Sequence, residues 1–178
     1  MNKTEIRKKI LGIRKNNNKN LQINFKDISR ILQKIKIVGK IVGGYYPYNH
    51  EVDTIKILKE FEKYNYVISL PKIKKNYQMN FFKWSSKDPL SINKYGIPEP
   101  ISHKIIYPNI ILVPVVAFDK NFNRIGYGGG FYDRYIKRIK KNKNIITIGL
   151  AYSFQKVKKI QVNKYDIKLN FIVTDKEN

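Results

Sequence analysis

Residues 126–135, GYGGGFYDRY, put four glycines into five positions ahead of two aromatics and an acid, in a chain with only 10 glycines among 178 residues. Glycine at that density costs conformational entropy on folding, so its use must be positive φ or close approach of backbone to another group. The stretch follows a long apolar run, 109–118 (NIILVPVVAF), and a short DKNFNR turn, and it precedes a segment of helical character from Tyr132. A strand, a glycine loop and a helix N-terminus together make an anion site, because free backbone N–H groups and the helix dipole favour negative charge. Arg124 and Lys120 stand in the same connection and can complete the charge balance on a phosphate. Two known phosphate patterns are absent: no Gly-Lys-Ser/Thr ending follows, and Phe131 occupies the position where a dinucleotide fingerprint requires its third glycine. Spacing alone leaves a phosphate loop and a bare tight turn both open.

Other residues with chemical potential carry less. His50 and His103 titrate near neutrality but stand in no catalytic spacing, and both read as surface histidines. Trp84 reads as core or pocket wall. There is no cysteine, which excludes disulfides and thiolate metal sites.

The elements that must position the loop alternate along the chain. Helical spacing of Ile6, Ile10, Leu11 and Ile13 predicts a helix over 3–15, broken by the Asn-rich 16–20. A second helix is predicted over 25–38, and a third after Thr54 as its cap. Strands are expected at 40–46, 66–70, 78–84, 109–118, 145–152 and 170–175, with a Pro-rich connector at 95–100. Strands alternating with helices imply an α/β, three-layer fold with a mainly parallel central sheet, as one domain over 1–178.

The formal net charge of +23 invites a nucleic-acid reading, but the excess is mostly lysine and is spread along the whole chain rather than gathered in one stripe. No specific nucleic acid is expected as a partner. The charged N-terminus does not fit a signal peptide, and no run is long and apolar enough to span a membrane, so the expectation is a cytoplasmic protein.

Beyond spacing, VPVVAFDKNFNRIGYGGGFYDRYI resembles the signature of the 5-formyltetrahydrofolate cyclo-ligase (5,10-methenyltetrahydrofolate synthetase) family. KTEIR, HEVDT, ISLPKI, YGIPEP, IGLAYSFQ and IVTD follow the family in order over nearly the whole chain. The resemblance implies a fold like that of sugar-phosphate isomerases and CoA transferases. It also implies an enzyme that uses ATP and Mg2+ to close 5-formyltetrahydrofolate, polyglutamylated or not, into the 5,10-methenyl form, most simply as a monomer. Lys3 and Arg7 match the family's phosphate-contacting basic pair, and their i,i+4 spacing shares one helix face. Arg124, Ile125, Gly126, Tyr127, Gly128, Gly129, Gly130, Phe131 and Tyr132 match its nucleotide loop, with Arg124 and Tyr132 in the catalytic role. Asp133 follows the loop at the head of the helix, where its carboxylate can ligate magnesium or cap the helix end, and both readings stay open. Asn170 aligns with a second family aspartate, and its amide lacks the charge that a metal contact would use. Glu51 matches the folate-binding glutamate, with Tyr46 and Tyr95 lining the folate pocket. On this reading Gly129→Val would block the phosphates and Arg124→Ala would remove a phosphate partner without strain. A basic nucleic-acid-binding protein, or a non-catalytic nucleotide-binding protein on the same fold, are the alternatives.

Overall fold

The computed structural model describes residues 1–17, 21–35, 37, 39–74 and 77–176. Its first helix, α1 (Lys3–Asn17), begins with a reciprocal cap. The Asn2 side chain accepts from the N–H groups of Thr4 and Glu5 (2.9 and 3.0 Å), and Glu5 accepts from the Asn2 N–H at 2.9 Å. The Asn-rich break expected over 16–20 begins inside α1 and for the rest lies outside the described residues. A second helix, α2 (Phe25–Ile35), follows, and the end of its expected span at 36 and 38 also lies outside them.

A six-stranded sheet forms the centre of the molecule. In chain order its strands are β1 (Ile41–Gly43), β2 (Val67–Ile73), β3 (Met79–Lys83), β6 (Ile110–Pro114), β9 (Ile146–Leu150) and β10 (Phe171–Val173). They lie in the spatial order β10-β9-β6-β1-β2-β3, all parallel except β3. A hairpin of β4 (Leu90–Ile92) and β5 (Pro98–Pro100) occupies the connector after β3, so part of the expected Pro-rich connector is strand. A second small hairpin joins β7 (Ala117–Phe118) to β8 (Arg124–Ile125).

The run 109–118 is therefore not one strand. Pro114 has no N–H to continue a ladder, and the chain leaves the sheet there to enter the β7–β8 hairpin. Within β6 the continuous apolar sequence serves both faces. Ile110 and Leu112 pack with α2 and with α3 (Thr54–Lys63), while Ile111 and Val113 pack with α4 (Phe131–Ile139) on the other side. The result is the expected three layers. The cap of α3 is Asp53, whose carboxylate accepts from the Ile55 N–H at 3.1 Å; Thr54 instead donates its hydroxyl to the Tyr45 carbonyl. Ile6 and Ile10 of α1 pack against Val116, Ala117 and Ile125, which fastens α1 to the hairpin below the glycine loop.

Strand order sets where a ligand can enter. From β1 the chain first adds β2 on one side, and later adds β6, β9 and β10 on the other. The connections leaving β1 and β6 therefore diverge to opposite faces and leave a crevice at the strands' carboxyl ends.

Asn170 lies away from that crevice. Its side-chain oxygen accepts from the N–H and hydroxyl of Thr147 at 2.9 and 2.8 Å, aligning the start of β10 beside β9. Thr147 is fully buried. Asn170→Ala should therefore lower stability by about 1–3 kcal/mol through unsatisfied buried donors, measured by chemical denaturation. The metal dependence of activity should not change; an altered dependence would count against this role.

Candidate functional site

A cleft of about 980 Å³ opens at the carboxyl ends of β1, β2 and β6, between the β4–β5 hairpin, the N-terminal end of α1 and the glycine loop. It is lined by every residue that the family resemblance assigned to nucleotide, folate or metal: Lys3, Arg7, Tyr46, Glu51, Tyr95, Arg124, Ile125, Gly126, Tyr127, Gly128, Gly129, Gly130, Phe131, Tyr132 and Asp133. Lys120, His50, His103 and Trp84 are not part of the lining. Trp84 is a core residue that donates to the Asp88 carbonyl.

At one end, the glycine loop runs from β8 into α4. Gly128 (φ +103°) and Gly130 (φ +64°) occupy the left-handed region that other residues avoid. Gly130 is the cap residue of α4 and no side chain caps the first turn, which leaves the helix N-terminus open toward the cleft. Two loop carbonyls are taken by arginines: the Arg7 Nε donates to Gly126 O at 2.7 Å, and Arg134 donates to Gly129 O. Arg134 also reaches the Tyr77 carbonyl at 3.0 and 3.2 Å.

The charges around the loop are already ordered. Lys3 is ion-paired with Asp166, which lines the same end. Arg124, almost fully buried, bonds the Ile167 carbonyl at 2.8 Å and the Asp133 carboxylate at 3.1 Å. The same Asp133 oxygen accepts from the Ile167 N–H at 3.0 Å, so Asp133 ties α4 to the C-terminal segment instead of capping its own helix. Among the described residues, no protein donor reaches Asp133 Oδ2 or Asp166 Oδ1, and no three His, Cys, Asp or Glu side chains cluster as a ready-made metal cage. Arg124→Ala would accordingly strand Asp133 as well as remove a cation, so it is not the strain-free probe that the sequence implied.

At the other end the walls are rings and aliphatic groups: Tyr45, Tyr46, Pro71, Ile73, Met79, Tyr95 and Ile97. Asn93 and Glu99 dock the β4–β5 hairpin there, with Asn93 Nδ2 donating to Glu99 at 2.8 Å and Glu99 accepting from the Ile73 N–H at 2.9 Å. Glu51 is the buried acid of this end. One of its oxygens accepts from the Tyr48 N–H at 2.9 Å. Burial pushes the carboxyl up to about 7, against the opposing effects of the Tyr48 bond and of Arg14. The stability this group lends is complete below the ordinary carboxylate range and is lost as pH rises through about 7. Burial likewise raises the Tyr45 and Tyr132 hydroxyls, so both stay neutral, and neither has a hydrogen-bond partner among the described residues.

Sequence reasoning missed four residues here. Tyr45, Asp166 and Arg134 gave no spacing signal. Arg14 did: it continues the Ile6, Ile10 stripe at i+4, and a charge on an apolar stripe must find a partner inside.

The loop geometry also corrects which glycine probes it. A Cβ on Gly129 would sit 2.6 Å from the Phe131 ring, whereas a Cβ on Gly126 meets nothing within 4 Å and the backbone there is ordinary. Gly129→Val should lower the melting temperature. Gly126→Val should leave stability within about 0.5 kcal/mol and weaken nucleotide binding tenfold or more by filling the approach to the loop. Equal thermal losses in both variants, with nucleotide affinity intact, would refute the loop's role.

The comparisons with known proteins converge. A family model described as the 5-formyltetrahydrofolate cyclo-ligase family matches residues 1–175. The 5-formyltetrahydrofolate cyclo-ligase of Haemophilus influenzae is 32% identical, covering 74% of this chain and 73% of that protein. That of Mycoplasma pneumoniae is 28% identical, covering 98% of this chain and 99% of the relative. The solved structure of Aquifex aeolicus 5,10-methenyltetrahydrofolate synthetase matches with a TM-score of 0.77 at 30% identity, over 99% of this chain and 91% of that one. The Mycoplasma pneumoniae synthetase structure matches with a TM-score of 0.74 at 25% identity, over 99% of this chain and 100% of that one.

Proposed function

The chain belongs to the 5-formyltetrahydrofolate cyclo-ligase family, and on that premise we propose that its cleft binds ATP at the glycine-loop end and 5-formyltetrahydrofolate at the Glu51 end. The reaction is the ATP-dependent closure of 5-formyltetrahydrofolate to the 5,10-methenyl compound with release of ADP and phosphate. The observation that carries the assignment of the two ends is their meeting in one continuous cleft, with open amides and cations at one side and rings around a buried acid at the other.

An N-formyl oxygen is a poor leaving group. Transfer of the γ-phosphoryl to that oxygen makes it a good one. The neighbouring folate nitrogen then attacks the formyl carbon, the carbon–oxygen bond breaks, phosphate departs with the oxygen, and the nitrogen's proton goes to solvent. The protein's tasks are positioning and charge stabilisation. Loop amides, Lys3, Arg7 and Arg124 hold the phosphates. Tyr132, neutral because burial raises its hydroxyl, lies between the ends and orients the formyl group as a donor. Glu51 accepts from the pterin N–H groups, with Tyr46 and Tyr95 packing on the rings.

Asp133 and Asp166 suit a magnesium ion that arrives with the nucleotide, since each offers one carboxylate oxygen that no protein donor occupies. When bound, the ion neutralises phosphate charge. Residues 1–178 acting as one domain, as a cytoplasmic monomer on folate with or without a polyglutamate tail, complete the proposal.

Absorbance of the methenyl product should rise only with ATP and a divalent cation present, with one ADP formed per turnover. Product without nucleotide consumption would contradict the mechanism. Glu51 gives a separate handle. Pterin donors require its carboxylate, so folate affinity should decline as pH falls below about 7, approaching tenfold per pH unit. Glu51→Gln should cost about 1.5–3 kcal/mol of folate affinity, flatten that pH profile and spare ATP affinity, as titration calorimetry would show. Equal weakening of both ligands would make Glu51 structural.

A further inference from the structure

We propose that Arg14 is a positioning residue for the folate end: from beneath the cleft it holds Tyr127 of the glycine loop and supplies the positive charge that Glu51 faces. The inference rests on the reading of Glu51 as the folate anchor. Arg14 is only 1% exposed, and among the described residues no acid lies within salt-bridge distance of it. Its guanidinium donates to the Tyr127 hydroxyl and, at 3.3 Å, to the Val115 carbonyl, and it lies 5.6 Å from the centre of the Tyr127 ring. Its Nε has no hydrogen-bond partner among the described residues. A guanidinium placed so deep with only neutral partners is costly. A role in bringing the two ends together accounts for its place there.

The contacts run continuously from Arg14 to Glu51. The Tyr127 hydroxyl, held by Arg14, reaches the Tyr48 carbonyl at 3.5 Å, and the two tyrosine rings meet edge to face at 5.9 Å. The Tyr48 N–H in turn donates to the Glu51 carboxylate. Glu51 is faced by Tyr45 from the segment after β1, by Tyr127 and Tyr132 from the loop and α4, by Tyr152 from the segment after β9, and by Arg14 from α1. Among these groups Arg14 is the cation. The tyrosines, held neutral by burial, offer only dipoles. Arg14 therefore favours the ionised carboxylate that a donor-bearing ligand needs, and it fixes the loop tyrosine standing between the two ligands.

The test is the pH profile of 5-formyltetrahydrofolate affinity, measured without ATP, for the wild type, Arg14→Lys, Arg14→Gln and Glu51→Gln. Arg14→Gln should move the midpoint upward by roughly half to one pH unit, so that affinity lost at neutrality returns at higher pH. Arg14→Lys, which keeps the charge, should leave the midpoint close to that of the wild type. A purely structural arginine would lower affinity at every pH and leave the midpoint where it was, and that result overturns the proposal. A wild type without the midpoint, or a midpoint that survives Glu51→Gln, removes Glu51 as the anchor and takes both readings down. If Arg14→Gln is unfolded at pH 8, the fold should return at pH 6, where Glu51 is mostly neutral, or on adding Glu51→Gln. Failure of both rescues makes Arg14 a scaffold residue and also overturns the proposal.

Discussion

The ion pair between Arg124 and Asp133 closes the glycine loop at its base, and the glycine-loop end of the cleft depends on it. Arg124 opens β8 in the β7–β8 hairpin, Asp133 lies in the first turn of α4, and both reach Ile167 in the approach to β10. Three segments distant in sequence are thereby pinned at one point. Between the two paired residues the chain passes through two left-handed glycines, a route that is entropically unfavourable to order. With its ends fixed, the loop has few ways left to run. Removing either partner would leave the other charge largely buried, at a cost on the order of 3 kcal/mol. Loop amides held this way need little reorganisation when charge arrives.

The two ends of the cleft are built differently because they must recognise different things. The glycine-loop end uses backbone amides and cations from loops and helix termini, and the loop's path depends on glycine at positions 128–130. The other end uses side chains projecting from the carboxyl ends of β1 and β2 and from the hairpin docked on them. Rings discriminate by shape, and a single buried acid discriminates by hydrogen bonding, since a ligand lacking donors would leave it unsatisfied. Tyr127 belongs to the first end by chain position and to the second by contact.

Much of this was legible in the sequence. Strand and helix alternation gives the layers, and the apolar run at 110–114 gives the central strand with both faces covered. Where reading failed, tertiary contact outweighed local pattern. Composition favoured one strand through Phe118, but Pro114 ends the ladder and Val116 and Ala117 turn to pack on α1, while Val115 stays in the core on the α4 side. The Pro-rich 98–100 forms a strand because it lies in a two-stranded hairpin, where proline's missing N–H is tolerated. At the site, motifs located the residues that touch the cleft but not the bonds that hold them. That Arg124 belongs to Asp133, and that Asn170 serves Thr147, depends on segments 9 and 23 residues apart meeting in space. No spacing rule encodes those meetings.

The division between lysine and arginine shows the same logic. Lysine carries most of the +23 charge and is distributed over the chain, where a flexible ammonium gives a diffuse attraction for anionic ligands. Arginine is scarce, yet four of the six surround the cleft: Arg7, Arg124 and Arg134 line it and Arg14 lies beneath. Each of these is already bonded to a carbonyl, a carboxylate or a phenol. A planar guanidinium can make those bonds along one edge and still present donors along another, which an ammonium does less well. The cleft's arginines are thus immobilised before a ligand binds, and binding need not supply the entropy of ordering them. Bulk charge attracts anions to the surface in general; the ordered arginines give the cleft a fixed pattern of donors.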